Sequence, residues 1–347
     1  MSPKKSCTLG KVDSQQLAQI CAAYKLGAPL AGARTVRGGL LHRMWRVTTT
    51  KGDFAVKELN PDIMRKSGAR DEYRRSERIA AAMAAAGVPA VTARRAHGDS
   101  VWDLDGATVM VFDWVDGETM PWGAVSPEQG ERVGAMLGRI HTCHPDAPGL
   151  SAPEWSMFED THWNLLVDQA MEQEAPWASA LSVALPDLAA WSASYRAASA
   201  KLTRTLVVSH CDLDQKNVLW RDAVTPAIVD WEAAGLTNPA LELAGAALDW
   251  SGQPAGPPLE ATFVAVLEGY RRAGGVACDA GRDALHGVMG NWLNWLEFNT
   301  RRALGATAEG SDERALGVRE TVRTLDILRR LAENLERWGG LLDAHNH

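Results

Sequence analysis

Three side chains in the sequence have the types and spacing for phosphoryl transfer. Moving a phosphoryl group requires a carboxylate beside the attacking hydroxyl and oxygen ligands for Mg²⁺ next to a polyphosphate. The stretch His210-Cys211-Asp212-Leu213-Asp214-Gln215-Lys216-Asn217 carries Asp212 and Asn217 on one polar loop. After a short hairpin, Ile228-Val229-Asp230-Trp231-Glu232 adds a carboxylate, Asp230, at the end of an apolar run. Asp212 suits the hydroxyl, and Asn217 and Asp230 suit the metal. Each polar group stands beside a strand-like apolar run, LVVSH before the loop and AIVDW after it, so both are held at strand ends.

The elements that must position these groups change character near residue 118, where Asp116-Gly117 closes an apolar run. Before that point, Arg43 to Thr50 and Phe54 to Leu59 are rich in Val, Thr and aromatic residues and flank Lys51-Gly52-Asp53, which predicts a hairpin. A helix is expected from about Arg70 to Ala86, stopped by Gly87 with Pro89 beyond it. Val101 to Leu104 and Thr108 to Val115 predict a second hairpin around Asp105-Gly106. After residue 118 the pattern is mainly helical, with stripes such as Val133, Leu137 and Ile140. The order is therefore strands, one helix, strands, then many helices interrupted by the polar loop.

With those residues in place, Val207 to Leu243 resembles the catalytic segment of the aminoglycoside phosphotransferase and choline kinase superfamily, whose relatives include homoserine and methylthioribose kinases. The loop fits H-x-D-x-x-x-x-N and Asp230 fits the strand-borne second metal ligand. The resemblance extends upstream and covers most of the chain. It implies an α+β, bilobal protein-kinase-like fold: a small N-terminal antiparallel sheet lobe over residues 1–115, a hinge at about 111–118, and a larger mainly helical C-terminal lobe over 119–347. It also implies transfer of the γ-phosphoryl group of ATP, with GTP left open, from a cleft between the lobes to a small-molecule hydroxyl. Asp212 would be the base or hydroxyl-orienting residue, Asn217 and Asp230 would hold Mg²⁺, and His210 would brace the loop.

Upstream, Phe54-Ala55-Val56-Lys57 resembles the strand that supplies a kinase's nucleotide lysine, here Lys57. An ammonium is needed there because the α- and β-phosphates are anionic and must be held in register. Its helix partner would be Glu72, which shares a face with Ser76, Ile79 and Met83; Glu77 is the alternative. Gly38-Gly39 stands where a phosphate-covering loop is expected, although it departs from G-x-G-x-x-G. Val111 to Val115 resembles the hinge, where the backbone of Asp113 and Val115 would read the adenine edge.

The segment reads Asp230-Trp231-Glu232 and not D-F-G, and Ala152-Pro153-Glu154 precedes the catalytic loop, so the acceptor is expected to be small and not a protein. Candidates for its pocket are Glu159 and Asp160, whose carboxylates suit an amino sugar's ammonium groups, and Trp292, Trp295 and Asn299 on one helix face. Glu297 falls off that face and is expected in solvent. His141 and His144 read as a structural helix end and not as a metal site. In Asn238-Pro239-Ala240-Leu241-Glu242-Leu243 the two positions where many relatives have Asp are Asn238 and Glu242, which leaves their bracing role open.

Bulk properties exclude other classes. The 347 residues are long enough for two cores, and 46% hydrophobic with 23% charged residues is ordinary for a globular chain. Residues 1–118 carry 18 Lys+Arg against 13 Asp+Glu, a balance of +5, and the remainder is −12. That distribution argues against nucleic acid as a partner and suits a cationic acceptor. The five cysteines lack CxxC spacing, so neither disulfides nor zinc is expected. The first residues lack a secretory signal, and the longest apolar run, Ile79 to Ala86, is far short of a membrane span. A cytoplasmic location without membrane partners is the expectation; the oligomeric state is open. The expected product of such a chain is an antibiotic-modifying kinase acting on an aminoglycoside or another natural-product hydroxyl. A metabolic kinase of the choline, homoserine or sugar type, and a non-catalytic nucleotide-binding protein, are the alternatives.

Overall fold

The computed structural model describes residues 14–36, 42–104, 106–277, 281–306 and 310–345. The chain opens with α1 (Ser14–Ala23), β1 (Arg34–Val36), β2 (Arg43–Thr49), β3 (Gly52–Leu59), α2 (Pro61–Met64), α3 (Ala69–Ala85), β4 (Trp102–Leu104), β5 (Ala107–Asp113) and β6 (Glu118–Thr119). Next come α4 (Pro127–Cys143), α5 (Asp160–Glu172), α6 (Ala178–Val183), α7 (Leu185–Leu202) and β7 (Val207–Ser209). A 3₁₀ turn, Gln215–Asn217, leads into β8 (Val218–Trp220) and β9 (Pro226–Ile228), and a second, Trp231–Ala233, leads to β10 (Gly235–Thr237). Five helices finish the chain: α8 (Pro239–Trp250), α9 (Glu260–Arg272), α10 (Gly281–Ala303), α11 (Ser311–Glu333) and α12 (Leu335–Ala344). The expected α+β, protein-kinase-like class is what the chain adopts, an N-terminal antiparallel sheet followed by a mainly helical part.

Two compact units divide the chain. One is Met1–Glu118 with Pro145–Ala147 and Asn217–Ala234; the other is Thr119–His144, Pro148–Lys216 and Gly235–His347. The β8–β9 hairpin that ends at Asp230 thus groups with the N-terminal elements.

In the first unit the sheet order is β1-β2-β3-β5-β4. Strand alternation sorts its side chains onto two faces. Trp45, Val47, Phe54, Val56, Val109 and Val111 form one core with Leu17, Ile20 and Cys21 of α1. Leu59 and Met110 point the other way and pack with Tyr73 of α3. Lys57, one residue past Val56, therefore falls on the α3 face. The first hairpin turns one residue earlier than the sequence suggests: Thr49 pairs with Gly52, whose φ of 128° a side chain rarely adopts, and Asp53 already belongs to β3. In the second unit, Ser126 and Gln129 form a capping box at the start of α4, with Pro127 in its first turn. The expected stripe Val133, Leu137 and Ile140 is buried. Helix α4 crosses α9 so closely that a Cβ at Gly134 would fall on the Val266 carbonyl oxygen, and one at Gly269 on that of Glu131.

Candidate active site

Lys57 stands on β3 between Met44 and Met110 of the neighbouring strands and is 8% exposed. Its ammonium lies 2.9 Å from Asp230 Oδ1 and forms a second ion pair with Glu232. Burial would lower the Lys57 pKa, but the charges of Asp230 and Glu232 more than offset it and hold the ammonium form above its ordinary value. Glu232 in turn meets His42: its Oε2 is 3.0 Å from His42 Nε2, and the Tyr73 hydroxyl is 3.0 Å from the same nitrogen. The Asn60 N–H donates to His42 Nδ1 at 3.0 Å, so a neutral ring carries its proton on Nε2 and donates it to Glu232. Burial raises the Glu232 pKa, yet the His42 hydrogen bond and the Lys57 charge hold it below the usual carboxylate range.

Asp230 lies two residues beyond β9 in a left-handed conformation, φ 61°, ψ 61°, that turns the chain into Trp231–Ala233. Val218 pairs with Ile228, and the Val229 N–H donates to the Asn217 carbonyl at 2.9 Å. The hairpin thus brings Asn217 alongside the residue that precedes Asp230. An amide oxygen and a carboxylate on adjoining strand ends, next to a buried ammonium, form a donor set that fits a hard divalent cation bound to a polyphosphate. Asn217 is buried and Asp230 is exposed.

The ion pairs of Lys57 are with Asp230 and Glu232, and the two glutamates of α3 differ in burial. Glu72 is exposed in the first turn, whereas Glu77 is 7% exposed, and its Oε2 accepts the Ala93 N–H at 2.7 Å. Helical spacing sets Glu72 on the face of Ser76, Ile79 and Met83, but Glu72 stands in the first turn, and packing of α3 against the Trp231–Ala233 turn and against the chain at Ala93 encloses Glu77 instead. Burial drives the Glu77 pKa up to about 7 against the pull of the Ala93 hydrogen bond and the Lys57 charge. Asp113 pairs with Phe54 across β3, and the Trp114 N–H donates to the Asp53 carbonyl, which leaves the Asp113 amide and carbonyl on the edge away from β3. Its side chain holds Arg94 at 2.6 Å. Val115, just beyond, is half-buried. Gly38 and Gly39 lie outside the described residues.

In the second unit, the loop after β7 is fixed by α8. The Glu242 Oε1 accepts the Cys211 N–H at 2.9 Å, the Trp250 indole donates to the Leu213 carbonyl at 2.8 Å, and the Gln215 amide donates to the Asp249 carbonyl at 2.8 Å. Positions 242 and 249 are nearly two turns apart and so share a face. Asn238 caps α8 by accepting the N–H groups of Ala240 and Leu241, and its amide also donates to the Leu202 and Thr205 carbonyls. His141 bridges Tyr270, at 2.8 Å, and Glu242, at 2.9 Å. Burial alone would raise the Glu242 pKa; the His141 contact reverses the sign and keeps it lowered. Glu242 thus braces the loop and His141 belongs to that brace, whereas Asn238 ties the start of α8 to the chain between α7 and β7.

On the loop, the buried His210 Nδ1 accepts the Asp212 N–H at 3.3 Å. Asp212 keeps part of its carboxylate in solvent, and Lys216 Nζ is 3.0 Å from its Oδ1. The same ammonium pairs with Asp214 Oδ2. Burial raises the Asp214 pKa, with Asp212 adding to it; burial would lower that of Lys216, but the two aspartates more than compensate and raise it. The carboxyl of Asp249 is enclosed although the residue retains some exposure, and burial followed by the Asp214 charge pushes it up to about 8.

The residues expected to meet an acceptor are less uniform. Glu159 is exposed at the start of α5, and Asp160 opens that helix, its side chain lying outside the described atoms. Trp292 is half-buried. Trp295 stacks on Phe298 and its indole donates to Glu320 at 3.4 Å. Asn299 is fully enclosed, with its amide donating to the Trp295 carbonyl at 2.8 Å and accepting from Arg302 at 3.3 Å, so its side chain serves the helix and not a pocket. Glu297 is not the solvated residue its helix position suggests: it pairs with His162 at 3.3 Å and with Arg301 at 2.9 Å. Sequence reasoning assigned no role to His42, Tyr73, Glu232 or Lys216. Glu232 and Lys216 stood inside the motifs already singled out, and their charge was the available signal.

Comparison with known proteins gives a consistent result. Residues 32–276 match the family model described as the Phosphotransferase enzyme family. No curated protein gives a significant match. Among solved structures, the chain is similar to a spectinomycin phosphotransferase in complex with ADP and spectinomycin, with a TM-score of 0.69 at 14% identity over 92% of this chain and 98% of that one. An amicoumacin kinase in complex with AMP-PNP, Ca²⁺ and its ligand gives 0.61 at 14% identity, over 90% and 93%. A Plasmodium vivax ethanolamine kinase gives 0.58 at 14% identity, over 86% and 84%. At these identities the solved structures establish the shared fold. The family match spans well over half of the sequence, and by it the chain belongs to the Phosphotransferase enzyme family, as an ATP-dependent phosphotransferase acting on hydroxyl groups of small molecules.

Proposed function

We propose that the protein transfers the γ-phosphoryl group of ATP to a hydroxyl of an aminoglycoside or another natural-product antibiotic, with Mg²⁺ as the metal. The reading is supported above all by the buried Lys57 ammonium held against Asp230 at 2.9 Å, on the strand and hairpin that the nucleotide-binding assignment requires. In this account residues 1–115 form the nucleotide-binding lobe, and the backbone of Asp113 and Val115 in the hinge reads the adenine edge. Residues 119–347, apart from the segment 217–234 that groups with the sheet, form the catalytic and acceptor lobe. Lys57 exchanges its carboxylate contacts for phosphate oxygens when nucleotide binds. Asn217 and Asp230 hold the metal. A Mg²⁺ ion held there by Asn217 and Asp230 would supply charge neutralisation on the phosphates.

Asp212 accepts the hydrogen bond of the acceptor hydroxyl and aims its oxygen at the γ-phosphorus for in-line attack. Little covalent chemistry falls to the protein, and the rate gain comes from orientation and charge placement. Glu159, Asp160, Trp292 and Trp295 are the residues assigned to the acceptor; the acidic balance of −12 after residue 118 favours a cationic acceptor. The test is ADP release from purified protein with ATP and Mg²⁺ against aminoglycosides, spectinomycin-type aminocyclitols, other hydroxyl-bearing antibiotics, choline, ethanolamine and amino-acid alcohols. Stimulation by an antibiotic supports the reading. Stimulation by choline, ethanolamine or an amino-acid alcohol alone replaces it with a metabolic kinase.

A further inference from the structure

We propose that Lys216 is a catalytic residue: its ammonium stabilises the charge that develops on the phosphoryl group in flight, and Asp214 positions it for that task. The inference rests on the assignment of Asp212 as the hydroxyl-orienting carboxylate. Lys216 Nζ lies 3.0 Å from Asp212 Oδ1. A hydroxyl hydrogen-bonded to Asp212 would have its oxygen about 2.7 Å from that carboxylate. The ammonium and the attacking oxygen are then neighbours around one carboxylate, wherever the rest of the acceptor lies, and the phosphorus being attacked is bonded to that oxygen as transfer proceeds. A lysine with 54% of its side chain exposed has the freedom to turn from Asp212 to a phosphoryl oxygen.

The geometry is more than a surface ion pair. Asp214 grips Lys216 twice, its Oδ1 accepting the Lys216 N–H at 2.9 Å and its Oδ2 meeting the ammonium. The residues between are pinned to α8, Leu213 through Trp250 and Gln215 through Asp249. The backbone that carries the base and the lysine is therefore held on both sides of Asp214, while the lysine stem is half exposed. In the step itself, the acceptor oxygen–phosphorus bond forms as the bond from the γ-phosphorus to the ADP oxygen breaks. The hydroxyl proton passes to the Asp212 carboxylate, and Lys216 keeps all of its protons. A cation aimed at developing charge acts in the transition state and leaves ground-state binding nearly unchanged.

The experiment compares the wild-type chain with Lys216→Met, Lys216→Arg, Asp214→Asn and Asp212→Asn. Three quantities are read: kcat and KM for ATP by ADP release with the best acceptor of the panel, or with water as acceptor if none stimulates; affinity for a fluorescent ATP analogue with Mg²⁺; and the melting temperature. The expected result is a fall in kcat of roughly 10²-fold or more for Lys216→Met, with nucleotide affinity and melting retained. Lys216→Arg restores a substantial part of the loss, and Asp214→Asn gives a smaller fall in kcat. Near-normal kcat in Lys216→Met beside an inactive Asp212→Asn overturns the role of Lys216 and leaves the phosphotransferase reading standing. A change confined to KM or to melting also overturns it, since that is what a binding or structural lysine gives. Full activity in Asp212→Asn removes the assignment on which the inference rests.

Discussion

Glu77 is the side chain whose burial has the clearest thermodynamic consequence. Its pKa is raised to about 7 by desolvation, while the unfolded chain returns it to the ordinary glutamate value of 4.5. Between those values the folded state binds more protons than the unfolded state, so stability falls as pH rises through this window and stays reduced above it. A shift of that size corresponds to at most about 3 kcal/mol. Glu77→Gln removes the titration and keeps an acceptor for the Ala93 N–H. We expect the variant to match the wild type near pH 5 and to melt higher at pH 8, with the difference growing between them. A difference that is flat with pH would show that Glu77 is ionised throughout. The choice between Glu72 and Glu77 also marks where residue-level reading of the sequence ends. The types and spacing of Lys57, Asp212, Asn217 and Asp230 were legible because phosphoryl transfer demands those groups. Which glutamate is enclosed depends on the chain at Ala93 and on the Trp231–Ala233 turn, which are distant in sequence from the first turn of α3.

Helix α8 is the element that turns a local motif into a fixed site. It begins at a capped Asn238, presents Glu242, Asp249 and Trp250 to the catalytic loop, and ties that loop through Glu242 to His141 of α4. Helix α4 is itself held at close range to α9. Substituting Gly by Ala in a helix interior is ordinarily favourable by about 1 kcal/mol, but at Gly134 the added Cβ meets the Val266 backbone, which cannot rotate away. Gly134→Ala is expected to lower the unfolding free energy by about 2 kcal/mol or more in urea denaturation. Gly245→Ala on α8, whose Cβ would lie 3.7 Å from Val288, serves as the control and should be neutral or stabilising. A stabilising Gly134→Ala would mean that the two helices are not in close contact. Both hairpins, α3 and the buried stripe of α4 were readable from periodicity and turn chemistry. Helix α1 was not, because its ten residues are too few for a strong pattern and its burial comes from the sheet face it covers.

At the scale of the molecule, the order of strands followed by helices was evident, yet the chain does not divide at a single point. Residues 217–234 group with the sheet because the Val91 N–H donates to the Ile228 carbonyl and Lys57 reaches Asp230 and Glu232. Such long-range contacts leave no periodic trace in a sequence. Among the described residues no helix is long and apolar enough to cross a membrane, and the charge divides between +5 before residue 119 and −12 after it. Asp212 is the one group assigned to the acceptor hydroxyl. Its most direct test is transfer of labelled γ-phosphate from ATP to the acceptor, measured for wild type and Asp212→Asn at equal nucleotide occupancy. Turnover lowered by roughly 10²-fold or more, with nucleotide affinity and melting temperature intact, is the predicted result. Transfer at near wild-type rate in Asp212→Asn would contradict the mechanism.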